Sequence, residues 1–389
     1  MNKSLALTGL VSALYAADAA AQEIPANVDD GRPSVARTDP ERNYDELEWY
    51  LSVPIIPGTM VNNVTMGPEI YNLAVGIFDL PKPEGNVLEN PDTFLEFADA
   101  INSLPHVHGS IAMNETVRFG LLWEWLETHV YGGGYARGDF RFNGLDEYTF
   151  GIDPETGAIG ADFGAPQNAF IVSAVADLFT GANFVVPVRI DDFILKPSIG
   201  FGFRHREALQ ATLSSDQVVA SADNIYYPDE TFMRSYGNGW HMDFGLMADF
   251  SRWERYVRPV AAISIENAYS EMYYADNSLG FPFNEPVRVN LGIELSPMGW
   301  FDVRADFLNV NNNHEYRLEV ARRLDWAEFS VYGRLNEMSL LGDIRHSGNI
   351  MLGFGNDIAQ VRLYASYDNA GDFGIGLQFG LGYRVQEYM

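Results

Sequence analysis

Phe373, Ile375, Leu377, Phe379, Leu381, Tyr383 and Val385 occupy every second position near the end of the chain. Gly374, Gly376, Gln378, Gly380, Gly382 and Arg384 fill the places between them. Successive side chains of a β-strand point to opposite faces, so this segment has one wholly apolar face and one small or polar face. At ~3.3 Å per residue it extends roughly 40 Å, enough to cross a bilayer obliquely. A strand of this length and pattern suits the wall of a transmembrane β-barrel.

The same alternation recurs upstream. Val287, Val289, Leu291, Ile293 and Leu295 oppose Arg288, Asn290, Gly292 and Glu294. Phe301, Val303, Ala305 and Phe307 oppose Asp302, Arg304 and Asp306, and Tyr316, Leu318 and Val320 oppose Arg317 and Glu319. Phe329, Val331 and Leu335 come next, against Glu328, Ser330, Tyr332 and Arg334. Ala359, Val361, Leu363, Ala365 and Tyr367 then oppose Gln360, Arg362, Tyr364 and Ser366. Noisier rows run through Phe119 to Trp125, Pro197 to Phe203 and Met242 to Phe250. Alternating segments of about ten residues separated by turn residues predict an all-β, antiparallel up-and-down transmembrane barrel of about 14 strands, within a range of 12–16. Charges of both signs at mid-strand positions disfavour a soluble sheet with a filled core.

The start of the chain predicts export. Lys3, an apolar run from Leu5 to Ala17 and the small residues Ala19, Ala20 and Ala21 have the form of a secretory signal peptide covering 1–21. The run is too short for a membrane anchor. Residues 22–115 differ in character from the strand-rich remainder of the chain. Pro25, Pro33, Pro40, Pro54 and Pro57 break regular structure, and Asp92 can cap a short helix carrying Phe94, Phe97, Ala98 and Ile101 on one face. This segment is expected to plug the barrel or hang in the periplasm, and it has room for a first strand near Met60 to Met66. The barrel proper is expected over 116–389. Polar stretches from Glu207 to Thr231 and from Tyr269 to Glu285 predict long outer loops.

Composition restricts partners. A net charge of −28 opposes binding of nucleic acid, and the absence of cysteine excludes a disulfide framework and a lipid anchor on Cys. Aromatic residues make up 13% of the chain, and Trp240, Trp253, Tyr256, Trp300, Trp326, Tyr367 and Tyr383 sit near strand ends, as interfacial girdles require.

The polar faces supply the candidate lumen residues: Arg288, Glu294, Asp302, Arg304, Asp306, Arg317, Glu319, Arg323, Glu328, Arg334, Gln360 and Arg362. A tight turn at Asn311-Asn312 sets Asp306 opposite Arg317 and Arg304 opposite Glu319, and a turn at Asp325-Trp326 sets Arg323 opposite Glu328. No catalytic, metal or cofactor site is expected. His106 and His108 share a face but lack a third ligand, and Asp368 to Asp372 reads as a tight turn. His346 and Ser347 are adjacent, so one strand would point them to opposite faces, which leaves an embedded lipid hydrolase the least supported function.

Gln378, Gly380, Tyr383 and Val385 resemble the C-terminal signal by which bacterial outer-membrane β-barrels are recognised for insertion: polar, any, Gly, any, any, aromatic, any, hydrophobic. The chain departs from the family by running on through Gln386-Glu387-Tyr388 to Met389. The Pro-rich lead-in, the short helix and Leu195 to Phe203 are similar to barrels of the FadL fatty-acid transporter group. These resemblances imply an outer-membrane location, contact with outer-membrane lipid and with the barrel-insertion machinery, and passage of an unknown solute through a polar lumen. The alternative is a structural or adhesive barrel with acidic surface loops.

Overall fold

The computed structural model describes residues 47–53 and 61–66, isolated positions between 72 and 103, and the chain from 107 to 382. Within that last stretch, 143–147, 153–158, 164–167, 215–231 and several turn residues lie outside the description. The expected signal peptide and most of the expected helix also lie outside the described residues.

Eighteen strands are formed among the described residues: β1 Glu48–Val53, β2 Val61–Met66, β3 Val107–Leu122, β4 Glu127–Phe142, β5 Tyr148–Ile152, β6 Ile159–Phe163, β7 Asn168–Val185, β8 Val188–Ile190, β9 Phe193–Ser214, β10 Phe232–Asp249, β11 Val260–Asn277, β12 Arg288–Leu295, β13 Asp302–Leu308, β14 Glu315–Leu324, β15 Ala327–Met338, β16 Ile344–Gly355, β17 Ala359–Asp368 and β18 Phe373–Gly382. Strands β5 and β6 make a separate hairpin, and β8 adds a short arm to β9. The rest form one antiparallel meander from β3 through β4, β7 and β9 to β18.

Strands β1 and β2 sit end to end in a single position between β3 and β18. Glu48 to Ser52 pair with Leu122 to Arg118, and Val61 to Met66 pair with Met113 to Gly109. On the other side, Ser52 and Val53 pair with Gly382 and Leu381, while Val64 to Met66 pair with Ile375 to Phe373. The order of pairing is therefore circular, and it contains fourteen strand positions. The wall thus includes β1, β2 and the first residues of β3, all N-terminal to residue 116.

One mouth of the cylinder carries short connections, such as 123–126 and 325–326. The other carries longer ones, including 143–167 and 215–231. Two expected loops are shorter than the composition suggested. Strand β9 continues past Glu207 to Ser214, and β11 continues past Tyr269 to Asn277. Backbone pairing needs no apolar side chain, and the polar ends of these strands find partners: Tyr236 to Phe232 pair with Glu207 to Ala211.

Burial is inverted relative to a water-soluble sheet. Leu178, Leu318, Leu363 and Ile375 are exposed, as are Phe203 and Val331. The buried side chains on the opposite faces include Arg118, Asp177, Arg206, Asp243, Glu319, Glu328 and Arg362. In water such an apolar outer surface would be far larger than a soluble monomer presents, and the enclosed charges would have to be paired. Hydrocarbon outside and polar contacts inside satisfy both faces at once. Trp49, Trp123, Trp125, Trp253, Tyr256 and Trp326 lie exposed at the short-turn mouth, where amphipathic rings meet a membrane interface.

Candidate functional site

The lumen is built by the faces of the strands that carry charge. The expected facing pairs are present in register: Arg304 with Glu319, Asp306 with Arg317, and Arg323 with Glu328. Glu294 also faces Arg304, and Arg288 faces Glu266. Short ionic contacts run along strands as well, Arg304 Nε to Asp306 Oδ2 at 2.8 Å and Arg317 Nη2 to Glu319 Oε2 at 3.1 Å. The Arg317 guanidinium also lies 4.7 Å over the ring of Tyr332. Glu328 reaches two strands away, accepting from Arg362 at 2.9 Å. Arg334 holds Glu315 at 3.1 Å and Glu337 at 3.2 Å, and Asp302 accepts from the Ser296 hydroxyl at 2.6 Å.

Several expected residues lack a describable side chain. Arg323, Gln360 and Gln378 are placed by backbone alone, as is Gly380. Tyr383 and Val385 lie outside the described residues.

The connection at 309–314 corrects the two-residue turn at Asn311-Asn312. Leu308 pairs with Glu315, the register that such a turn demands, yet six residues link the strands. The left-handed residue is Asn309, with φ of 52°, whose N–H donates to Asn290 Oδ1 at 2.8 Å. This buried side-chain acceptor competes with a tight hairpin.

The segment 278–287 between β11 and β12 folds back into the lumen. Phe281 is only 2% exposed. Its N–H donates to Asn277 Oδ1 at 2.8 Å, and Asn277 Nδ2 donates back to its carbonyl at 2.9 Å. Leu279 N donates to Ser235 Oγ, Glu285 N to Ser270 Oγ, and Asn267 Nδ2 to the Pro286 carbonyl. Asn267 itself has φ of 52° and lies in a β-bulge where the β10–β11 register shifts. A bulge in the left-handed region re-aims the strand, and Asn tolerates it better than other side chains. Its N–H donates to Asp243 Oδ1 at 2.6 Å.

At the tip of the segment, Phe281 joins an internal cluster with Tyr131, Tyr135, Val175, Phe179, Ala208 and Leu340. Leu340 comes from the β15–β16 connection, on the far side of the cylinder from β4. Its N–H donates to Asp139 Oδ2 at 2.5 Å, and Asp139 also accepts from Arg137 Nε at 3.1 Å. Glu337 of β15 lies 3.6 Å from Arg137. Two inward connections therefore meet on the β4–β7 wall.

Beside this cluster lies an ionic clasp. Arg206 donates to both oxygens of Asp177, at 2.9 and 3.1 Å, and its Nη1 sits 2.7 Å from Glu285 Oε1. Arg204 Nη1 donates to both Glu285 oxygens, at 2.9 and 2.8 Å. All four side chains are buried, with side-chain exposures between 4% and 9%. One further row uses glycine for close approach. Tyr131, Gly181, Gly202 and His241 are in register across four strands, and a Cβ on Gly181 would collide with the Tyr131 hydroxyl.

Other candidates from the sequence are accounted for structurally. His108 Nε2 lies 2.6 Å from Asp372, whose N–H closes a turn on Asp368 Oδ1 with Gly371 at φ of 89°. His346 Nδ1 accepts from the Asn336 N–H, while the Ser347 hydroxyl accepts from Asn349. Among the described residues no group of three metal-ligating side chains occurs. The residues that sequence reading missed are Arg137, Asp139, Asp177, Arg204, Arg206 and Glu285. The first five carried the signal that picked out the others, a charge on the polar face of an alternating strand, but in noisier segments.

No protein-family model matches the chain, and no curated protein matches it. Solved structures give loose likenesses. Outer membrane phospholipase A from Escherichia coli matches at 10% identity over 87% of this chain and 92% of that one, with a TM-score of 0.26. Pseudomonas aeruginosa OccK9 matches at 8% identity over 88% of this chain and 100% of that one, with a TM-score of 0.28. The outer membrane transporter YddB from Escherichia coli matches at 9% identity over 68% of this chain and 43% of that one, also at 0.28. None of these superpositions is close enough to transfer a role, and none supports the FadL-group resemblance. The chain's own pairing and burial carry the assignment: with a circular antiparallel meander, an apolar exterior and a charged interior, it is a β-barrel of the outer-membrane type.

Proposed function

We propose that the protein is a gated solute channel of the bacterial outer membrane. The observation that carries this reading is the construction of its interior. A barrel serving only as an anchor can fill its lumen with apolar packing, whereas this one encloses charges of both signs and narrows the passage with connections that fold inward. Selectivity then follows from the charges on the wall and from the constriction, as in other aqueous pores. Lipid covers the outside, and Gln378 to Val385 serve as the segment read by the barrel-insertion machinery.

Planar-bilayer recordings test the proposal. The protein as folded gives small or intermittent currents, and a variant with Phe281→Ala and Glu285→Gln gives larger ones. Removal of residues 22–46, which stops short of wall strand β1, tests the N-terminal segment as a plug. Silence from all three proteins, each migrating as a heat-modifiable folded barrel, would overturn the channel reading.

A further inference from the structure

We propose that Arg204 and Arg206 form a carboxylate-binding site of the lumen, held in the resting barrel by the protein's own Glu285, and that a carboxylate bearing an aromatic ring displaces it. The proposal deepens the channel reading and rests on it for its biological meaning.

The geometry of the clasp is that of a ligand site. Two guanidinium groups converge on one carboxylate, with three N···O contacts between 2.7 and 2.9 Å. Charge-assisted contacts of this length are the strong class, and arginine presents its donors in a fixed fork that suits carboxylates. Asp177 keeps both guanidiniums in place from below, contacting Arg206 through two bonds and Arg204 Nε at 3.5 Å. The receptor half is thus mounted on two adjacent wall strands, β7 and β9, and is pre-organised without Glu285.

Glu285 comes from a different kind of element. It lies on the inward connection 278–287, where Gly280 takes a left-handed φ of 73° and a Cβ there would meet nothing within 4 Å. The same connection delivers a second group to the same arginine: the ring of Phe281 lies 5.6 Å from the Arg206 guanidinium carbon, within cation–π range. Phe281 also stacks on Tyr274 at 5.8 Å and packs among Tyr131, Tyr135 and Phe179. The segment therefore fills one site with a carboxylate in contact with Arg206 and an aromatic ring over its face. A small molecule that carries both groups on a short flexible chain reproduces these contacts. Its binding would release the segment from the wall and widen the lumen.

Isothermal titration calorimetry on the detergent-solubilised full-length barrel, with 3-phenylpropionate as probe, tests this. Glu285→Gln removes the internal competitor's charge and is expected to bind the probe about tenfold or more tightly than the unaltered protein, a difference of ~1.4 kcal/mol per decade. Propionate, which lacks the ring, and 3-phenylpropanol, which lacks the charge, are each expected to bind Glu285→Gln more weakly than the probe. Arg206→Lys in the Glu285→Gln background keeps the charge but loses the fork, and is expected to abolish the gain. Heat-modifiable migration confirms that each variant is folded. Equal affinity of the Glu285→Gln variant and the unaltered barrel for the probe, or equal binding of the alcohol, would overturn the site. Binding without conductance would instead sink the channel reading and leave the site standing, whereas conductance indifferent to a probe that does not bind would do the reverse.

Discussion

The backbone N–H of Leu340 donates to the carboxylate of Asp139 at 2.5 Å, joining positions separated by 201 residues. This contact runs from the β15–β16 connection to β4, across the lumen rather than along the wall. It ties one inward connection to the aromatic surface that receives the other. Asp139 is only 1% exposed, so its charge depends wholly on Arg137 and on donors such as this one.

Replacing Asp139 by alanine leaves the buried Arg137 without its nearest partner and Leu340 N–H without its acceptor. Breaking a buried ion pair from one side costs about 3–5 kcal/mol. Urea unfolding in detergent is expected to show a loss of that order. A loss below about 1 kcal/mol would mean that Glu337, and not Asp139, compensates the Arg137 charge.

Glu328 and Arg362 provide a cleaner test of the interior ladder, since they meet at 2.9 Å from strands two positions apart. Glu328→Arg and Arg362→Glu are each expected to destabilise the barrel. The exchanged double variant should recover part of the loss, with a coupling energy of about 0.5–3 kcal/mol in a double-mutant cycle. Simple additivity of the two losses would show that the pair is incidental.

Leu363 stands midway along β17 on the exposed face, directly beside buried Arg362. Leu363→Arg puts a guanidinium into hydrocarbon, on the face opposite Arg362, and is expected to cost ~2–4 kcal/mol for folding into lipid vesicles. Leu363→Val should be nearly neutral in the same titration. Tolerance of the arginine would contradict the assignment of this face to lipid.

Asn267 separates two effects at the bulge. Asn267→Gly keeps the left-handed backbone and loses the side-chain bond to the Pro286 carbonyl, so folding should persist while the 278–287 segment loosens. Asn267→Val meets the steric cost of that conformation, about 1–2 kcal/mol, and should lower stability as well. Limited proteolysis between 278 and 287 reads the first effect, and thermal melting reads the second. Equal proteolytic resistance of the glycine variant and the unaltered chain would remove the anchoring role.

Legibility followed the strength of alternation. Arg304, Asp306, Arg317 and Glu319 could be set in register by counting from a turn, because the side-chain period of a strand is two and a one-residue slip exchanges its faces. The turn at Asn311-Asn312 was misread in shape but not in register, since Asn290, distant in sequence, draws the chain into a wider connection. Arg204 and Arg206 alternate too, but in a noisier segment, where His205 and Glu207 take the outward places that apolar residues hold elsewhere. Glu285, the partner of the two arginines, does not alternate, because it lies in a connection where no periodicity operates.

The amino-acid sequence by itself determined the regular strands of the last third, their inner and outer faces and a ring of about fourteen, because the alternation of side chains is a local rule that each segment obeys alone. Only the tertiary structure decided that β1 and β2 share one place in the ring, that Glu285 and Phe281 turn inward, and that Leu340 meets Asp139. Those contacts join residues with no common period, and they form because the enclosed charges and aromatic rings must find partners inside a wall whose other side is committed to lipid.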